Sequence, residues 1–126
     1  MPYQKKISDQ AKTYNLYSIL HSCGSVVKAI PEMIQAGING LHPIQACAVG
    51  MDAENLAAKF KDKIVFIGGV DTQVLLREGT AKQIKDDVRR LKNLFGNNFI
   101  VSPSHEAILP NIPPENIAAM AEAAHE

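Results

Sequence analysis

Apolar residues fall into short clusters that alternate with longer, helix-spaced stretches, and the alternation repeats four times. Leu16, Ile19 and Leu20, with Tyr17 among them, make a strand-length run inside Leu16–Gly24 that ends in HSCG. Val26, Val27, Ile30, Met33 and Ile34 then recur at helical spacing as far as Ala36. Pro31 is tolerable in a first turn and Gly37 is the stop, so a helix is predicted there, in one or two pieces. Residues 38–46, INGLHPIQA, read as a second strand, and Asp52 is placed to cap AENLAAKF. The run IVFI at 64–67, β-branched and aromatic, is a third strand that leads into GGVD. From Thr80 the pattern is again helical: Thr80 and Gln83 fit a capping box, Ile84, Val88, Leu91 and Leu94 form the stripe, and Gly96 ends it. Residues 99–101 make the last strand, and Pro113 and Pro114 open a terminal helix, ENIAAMAEAAHE. A polar helix over residues 3–14, with Ile7 and Ala11 on one face, precedes the first strand.

The strand runs lack polar alternation, which predicts burial on both faces and a parallel sheet with right-handed helical crossovers. In such α/β folds the chemistry collects at the C-terminal ends of the strands. Those ends hold His21 and Cys23; then His42, Gln45 and Cys47; then Gly68, Gly69 and Asp71; then Ser102, Ser104, His105 and Glu106. Three of the four histidines and both cysteines are among them. Four βα units are also half of an eight-stranded barrel.

Composition narrows the setting. The chain is 46% hydrophobic with 13 basic and 13 acidic residues, one globular domain or a piece of a larger one, and its charge balance gives no electrostatic case for nucleic acid or an anionic membrane. No apolar run is long enough to span a bilayer and MPYQKKISDQ lacks a signal-peptide core, so the cytoplasm is the expected compartment. There the two cysteines are expected to be free thiols or ligands rather than a disulfide.

Imidazole and thiolate are the two commonest zinc donors, and at i and i+2 on an extended chain the side chains of His21 and Cys23 point the same way. Two donors do not make a site, and a buried histidine beside an inert cysteine is the other reading of the pair. Gly68 and Gly69 could bring backbone N–H groups to an anion or simply form a tight strand-to-helix turn. Asp71 could be a functional acid or a cap for TQVLL, and Glu106 could orient an imidazole or face water. Arg77, Arg89 and Arg90 lie in helical stretches and read as solvated surface.

HSCG with its helix and GINGLHPIQ, then IVFIGGVDTQVLLREGT, then SPSHEAILPNIPPENIAAM, resemble the C-terminal half of the uroporphyrinogen decarboxylase family. The resemblance implies a TIM barrel, of which this chain supplies the last four strands. It also implies one of two chemistries. One branch resembles zinc-dependent methyltransferases that move a methyl group from a corrinoid to a thiol, with zinc on a His-x-Cys pair plus a distant cysteine. His21 and Cys23 match the pair, and His105 stands where the cysteine would, so the implied metal and catalytic set is His21, Cys23 and His105. Gln45, Gly68, Gly69 and Asp71 are the implied substrate contacts. His42 or Cys47, near the end of a neighbouring strand, could add a fourth or substitute ligand, although the resemblance places none there, and Cys47 otherwise reads as a plain core or rim thiol. The other branch decarboxylates the acetate side chains of a tetrapyrrole with no metal or organic cofactor, and there His105 would be a polar contact to the substrate. A corrinoid protein or a tetrapyrrole is the corresponding partner.

A full barrel needs roughly 250 residues, so the 126 residues are expected to form a single partial domain with open edges. Such a half is expected to belong to a longer chain, or to pair with a second copy as a homo-oligomer or with a separate N-terminal half, and to be inactive alone. A non-catalytic half-barrel assembly module is the alternative. The zinc reading also makes a geometric demand: His21, Cys23 and His105 must converge although more than eighty positions separate the ends of the set.

Overall fold

The computed structural model describes residues 1–126, in which six helices and four strands alternate. In chain order these are α1 (Pro2–Thr13), β1 (Ile19–His21), α2 (Ile30–Gln35), β2 (Gly40–Ile44), α3 (Ala53–Phe60), β3 (Val65–Val70), α4 (Leu75–Glu78), α5 (Ala81–Phe95), β4 (Phe99–Pro103) and α6 (Pro114–His125). The strands form one parallel sheet in the order β1-β2-β3-β4, the expected α/β arrangement of four βα units. No helix is long and apolar enough to cross a membrane.

Local chemistry sets most boundaries where the sequence puts them. Asp52 accepts from the Asn55 N–H at 2.9 Å, and Thr80 and Gln83 form the complete capping box. Helix α2 begins at Ile30 rather than Val26. Pro31 has no N–H to continue a helix from residue 27, so Val26 to Ala29 closes a turn instead, with the Ala29 N–H on the Val26 carbonyl at 2.8 Å. The stripe of α5 also differs at its end: after Ile84, Val88 and Leu91 the buried position is Phe95, with Leu94 only partly buried. Steps of four, three and four residues stay closer to the 3.6 period. The Phe95 ring then lies between Phe66 and Phe99, with both centroid separations 5.1 Å. At the other end of the chain Asn116 is buried, and its amide donates to the carbonyls of Leu76 and Gly79, both at 3.0 Å, tying α6 to α4.

Burial on both faces holds for β2 and β3 but not for the outer strands. Leu41 and Phe66 pack into the core, whereas Ile19 in β1 and Ile100 in β4 are 58% and 51% exposed. Leu16 and Tyr17, expected in the first strand, lie ahead of it and are exposed. The apolar side chains of the outer strands are thus open to solvent where those of the two inner strands are not.

The β2–β3 ladder contains an irregularity that shapes the site. Leu41 pairs with Phe66 and Ile44 with Gly68, so three steps along β2 match two along β3, and the extra residue falls at His42-Pro43. Proline can occupy such a place because no ladder N–H is required there. On the other side the register is intact: His21 pairs with His42, and the Ser22 N–H donates to the His42 carbonyl at 2.8 Å.

Candidate metal centre

The tip of β1 presents His21 and Cys23 on the same side, with Cys23 Sγ 3.3 Å from His21 Nε2. The third group comes from the far edge of the sheet. Three strand spacings of about 4.8 Å would leave the tips of β1 and β4 roughly 14 Å apart. The Ser104 N–H donates to the Val70 carbonyl at 2.7 Å as the last rung of the β3–β4 ladder, and the chain bends over residues 104–106 directly after it. Two residues later Glu106 reaches Cys23, Oε2 to Sγ 3.9 Å, across 83 positions of sequence.

One donor atom from each of His21, Cys23 and Glu106 therefore lies within 4.8 Å of the others, and all three residues are exposed. Nitrogen, sulfur and oxygen donors around a tetrahedral zinc, at about 2.0–2.3 Å from it, sit roughly 3.5 Å from one another. The separations of 3.3 and 3.9 Å match that spacing, so the donor set fits zinc with a fourth position open. The Glu106 carboxyl is held below its usual range, first by its own backbone N–H and then, against some desolvation, by the imidazoles of His105, His21 and His42. It is accordingly a carboxylate at neutral pH.

His105, the expected third ligand, is not in that group. Its Nδ1 accepts from the Ala107 N–H at 3.3 Å and lies 3.5 Å from Glu106, and the ring lines a recess shared with Gln45, Cys47, Asp71 and Ser104. Glu106 takes the place expected of His105, one residue along, because the bend at residues 104–106 carries that side chain toward Cys23 at the tip of β1. The motif His-Glu held the signal; spacing alone could not say which of two adjacent donors turns inward.

The expected substrate contacts each have a definite place in the fold. Gln45 Oε1 accepts from the Gly24 N–H at 2.6 Å, which fixes the HSCG turn behind the cysteine. Gly68 and Gly69 lie within β3, buried, not in a turn after it, so an anion-binding loop is corrected to a strand interior. Asp71 is a cap: its carboxylate accepts from the N–H groups of Gln73, Val74 and Leu75 at 2.9 to 3.1 Å. Burial acts to raise its pKa, but those three bonds, with the Cys47 thiol, outweigh it and hold the carboxyl below its ordinary value. Cys47 is the converse. Burial, then the charge of Asp71 at 3.5 Å and the hydrogen bond to it, push the thiol up, so it is protonated and a poor nucleophile at neutral pH.

A pH dependence follows for Asp71. A carboxyl whose folded pKa lies below its unfolded value of about 3.9 contributes stability above that value and loses it as pH falls through the folded one. Asp71→Ala is therefore expected to cost about 1 kcal/mol at pH 7, with the deficit shrinking below pH ~4, as read by thermal unfolding at both pH values. An equal deficit at both would contradict the cap.

Arg89 and Arg90 are engaged at the surface, with Glu126 and Asp86 and with Glu54 and Asp87 respectively, and Arg77 pairs with Glu78. The polar chemistry of the strand ends thus centres on the His21, Cys23 and Glu106 group and the recess beside it.

Four parallel strands, each followed by helix, with candidate metal donors gathered beyond their C-terminal ends, define a segment of a TIM-type β/α barrel. The chain belongs to the uroporphyrinogen decarboxylase (URO-D) family, which it matches over residues 1–126. It is 26% identical over 124 residues to the methylcobamide:CoM methyltransferase MtbA of Methanosarcina acetivorans, covering 98% of this chain and 34% of that protein. The Methanosarcina mazei protein of the same name is 26% identical over 85 residues, 68% of this chain and 24% of its own length. A solved methyltransferase from Methanosarcina mazei superposes with a TM-score of 0.71 at 21% identity, over 97% of this chain and 34% of that one. The chain thus spans about a third of the length of the relatives it matches.

Proposed function

We propose that this chain carries the metal-binding part of a methyltransferase that moves a methyl group from a corrinoid to a thiol. The observation behind the proposal is the meeting of His21 and Cys23 with Glu106 across the sheet, in a family member whose curated relatives are named as methylcobamide:CoM methyltransferases. In this reading His21 Nε2, Cys23 Sγ and a Glu106 carboxylate oxygen hold zinc. The ion supplies an open position and the charge that keeps a substrate thiol ionised near neutral pH. Gln45 keeps Cys23 in place through Gly24, and His105, lining the recess next to Glu106, faces the incoming thiol. A corrinoid protein is the methyl donor's carrier. Turnover requires the rest of a barrel, which would cover the face that bears Ile19.

The reading is tested by thiol binding rather than by turnover. Adding 2-mercaptoethanol to the zinc-loaded chain in weak buffer at pH 7 is expected to release about one proton per zinc, saturably, because the free thiol is almost wholly protonated at that pH. Loaded protein that takes up no thiol and releases no proton would contradict the proposal.

A further inference from the structure

His42 stands outside the donor group yet touches it. It pairs in register with His21 on the neighbouring parallel strand, so the two side chains project from the same face. Their rings meet edge to face, with centroids 5.2 Å apart and planes at 60°. The two Nδ1 atoms are 3.2 Å apart, while the other nitrogen of His21, Nε2, is the one directed at Cys23.

Two facing imidazole nitrogens can share only one proton in a hydrogen bond, so one ring donates and the other accepts. If His42 donated, the proton of neutral His21 would sit on Nε2 and block the lone pair that faces Cys23. If His21 donates, Nε2 is bare and points into the donor group. A ligating histidine generally has its other ring N–H held by an acceptor, which fixes both tautomer and ring orientation. The structure offers one acceptor at His21 Nδ1, and it is His42.

We propose that His42 is a positioning residue of the metal centre: its Nδ1 accepts from His21 Nδ1–H and thereby holds His21 Nε2 unprotonated and aimed at the point shared with Cys23 and Glu106. The proposal rests on the zinc reading for its consequence but not for its geometry. The extra residue in β2 supports it from the other side. The irregularity falls at His42-Pro43, where the ladder to β3 is interrupted while the ladder to β1 is kept, so His42 stays registered with His21.

The test uses His42→Phe, which keeps a ring without an acceptor, and His42→Asn, whose side-chain oxygen stands near the place of Nδ1. Zinc affinity is measured by competition with a chelator, and the His21 tautomer by nitrogen-15 NMR of the metal-free chain at pH 8. Expected are a 10- to 100-fold weaker zinc complex, on the order typical of lost outer-sphere partners, in His42→Phe, and recovery of most of it in His42→Asn. Metal-free wild type should show His21 protonated at Nδ1, and His42→Phe should lose that preference. His21 protonated at Nε2 in the wild type, or a His42→Phe variant with unchanged tautomer and affinity, would overturn the role of His42. Failure of the wild type to bind zinc would overturn the metal reading, while the tautomer measurement would still decide whether His42 sets His21.

Discussion

Cys23→Ala is expected to weaken zinc binding by more than about 100-fold, since even the loss of a group behind a ligand typically costs 10- to 100-fold. Glu106→Gln should lose affinity as well, because an amide oxygen carries no charge to the metal. His105→Ala should change it less than about 3-fold, its nitrogen being engaged with the Ala107 N–H outside the donor group. All three positions are exposed or half-exposed, so the thermal midpoint should hardly move and the comparison is one of ligation rather than folding. The opposite order, with His105 essential and Glu106 dispensable, would restore the ligand set that the family resemblance implies and remove the one assembled across the sheet.

The largest effect on the fold is expected at Gly68→Ala. Gly68 has φ +123°, a conformation that costs an L side chain on the order of 1–3 kcal/mol. A Cβ there would also lie 2.6 Å from the Ile44 nitrogen, with the Ile44 and Pro103 carbonyl oxygens at 3.3 and 3.4 Å. These are backbone atoms of both neighbouring strands and cannot rotate away. Strain and clash together should cost at least ~3 kcal/mol, a large part of the 5–15 kcal/mol usual for a domain, and lower the midpoint by roughly 10 °C or more. Gly96→Ala is the comparison: its φ of +60° carries strain but no atom lies within 4 Å of the added Cβ, so it should cost about 1–2 kcal/mol. Equal losses at the two glycines would show that the pinch between β2 and β4 is not what fixes residue 68.

The two glycines of GGVD show where sequence stops being informative. As a pair ending an apolar run they fit a loop, and nothing local says that the strand continues through them. What requires glycine is the extra residue at His42-Pro43 on another strand, which brings the Ile44 backbone against Gly68. The helices were legible because their causes are local: the Thr80 and Gln83 box, the Asp52 cap and Pro114 in the first turn act within a few residues. Leu94 and Phe95 mark the limit of that legibility, since both are apolar and only the position of Phe66 and Phe99 selects the ring.

At the candidate metal centre the legible part is likewise the local one. His21 and Cys23 share a strand tip, and their alternation alone aligns them. The partner from the loop after β4 was visible as His105 next to Glu106, but the choice between them depends on the bend that the chain makes at residues 104–106. Gln45 and Asp71 read as polar groups near a site, while their hydrogen bonds to Gly24 and to the start of α4 are tertiary facts. His42 carried no motif; its meaning lies in the register that sets it against His21.

The most direct test of the central claim is zinc K-edge X-ray absorption on the purified chain loaded with one equivalent of zinc. The donor set of His21, Cys23 and Glu106 predicts one sulfur at about 2.3 Å, with nitrogen and oxygen neighbours at about 2.0–2.2 Å completing four-coordination. A shell of oxygens without sulfur, or one with two sulfurs, would contradict the centre described here.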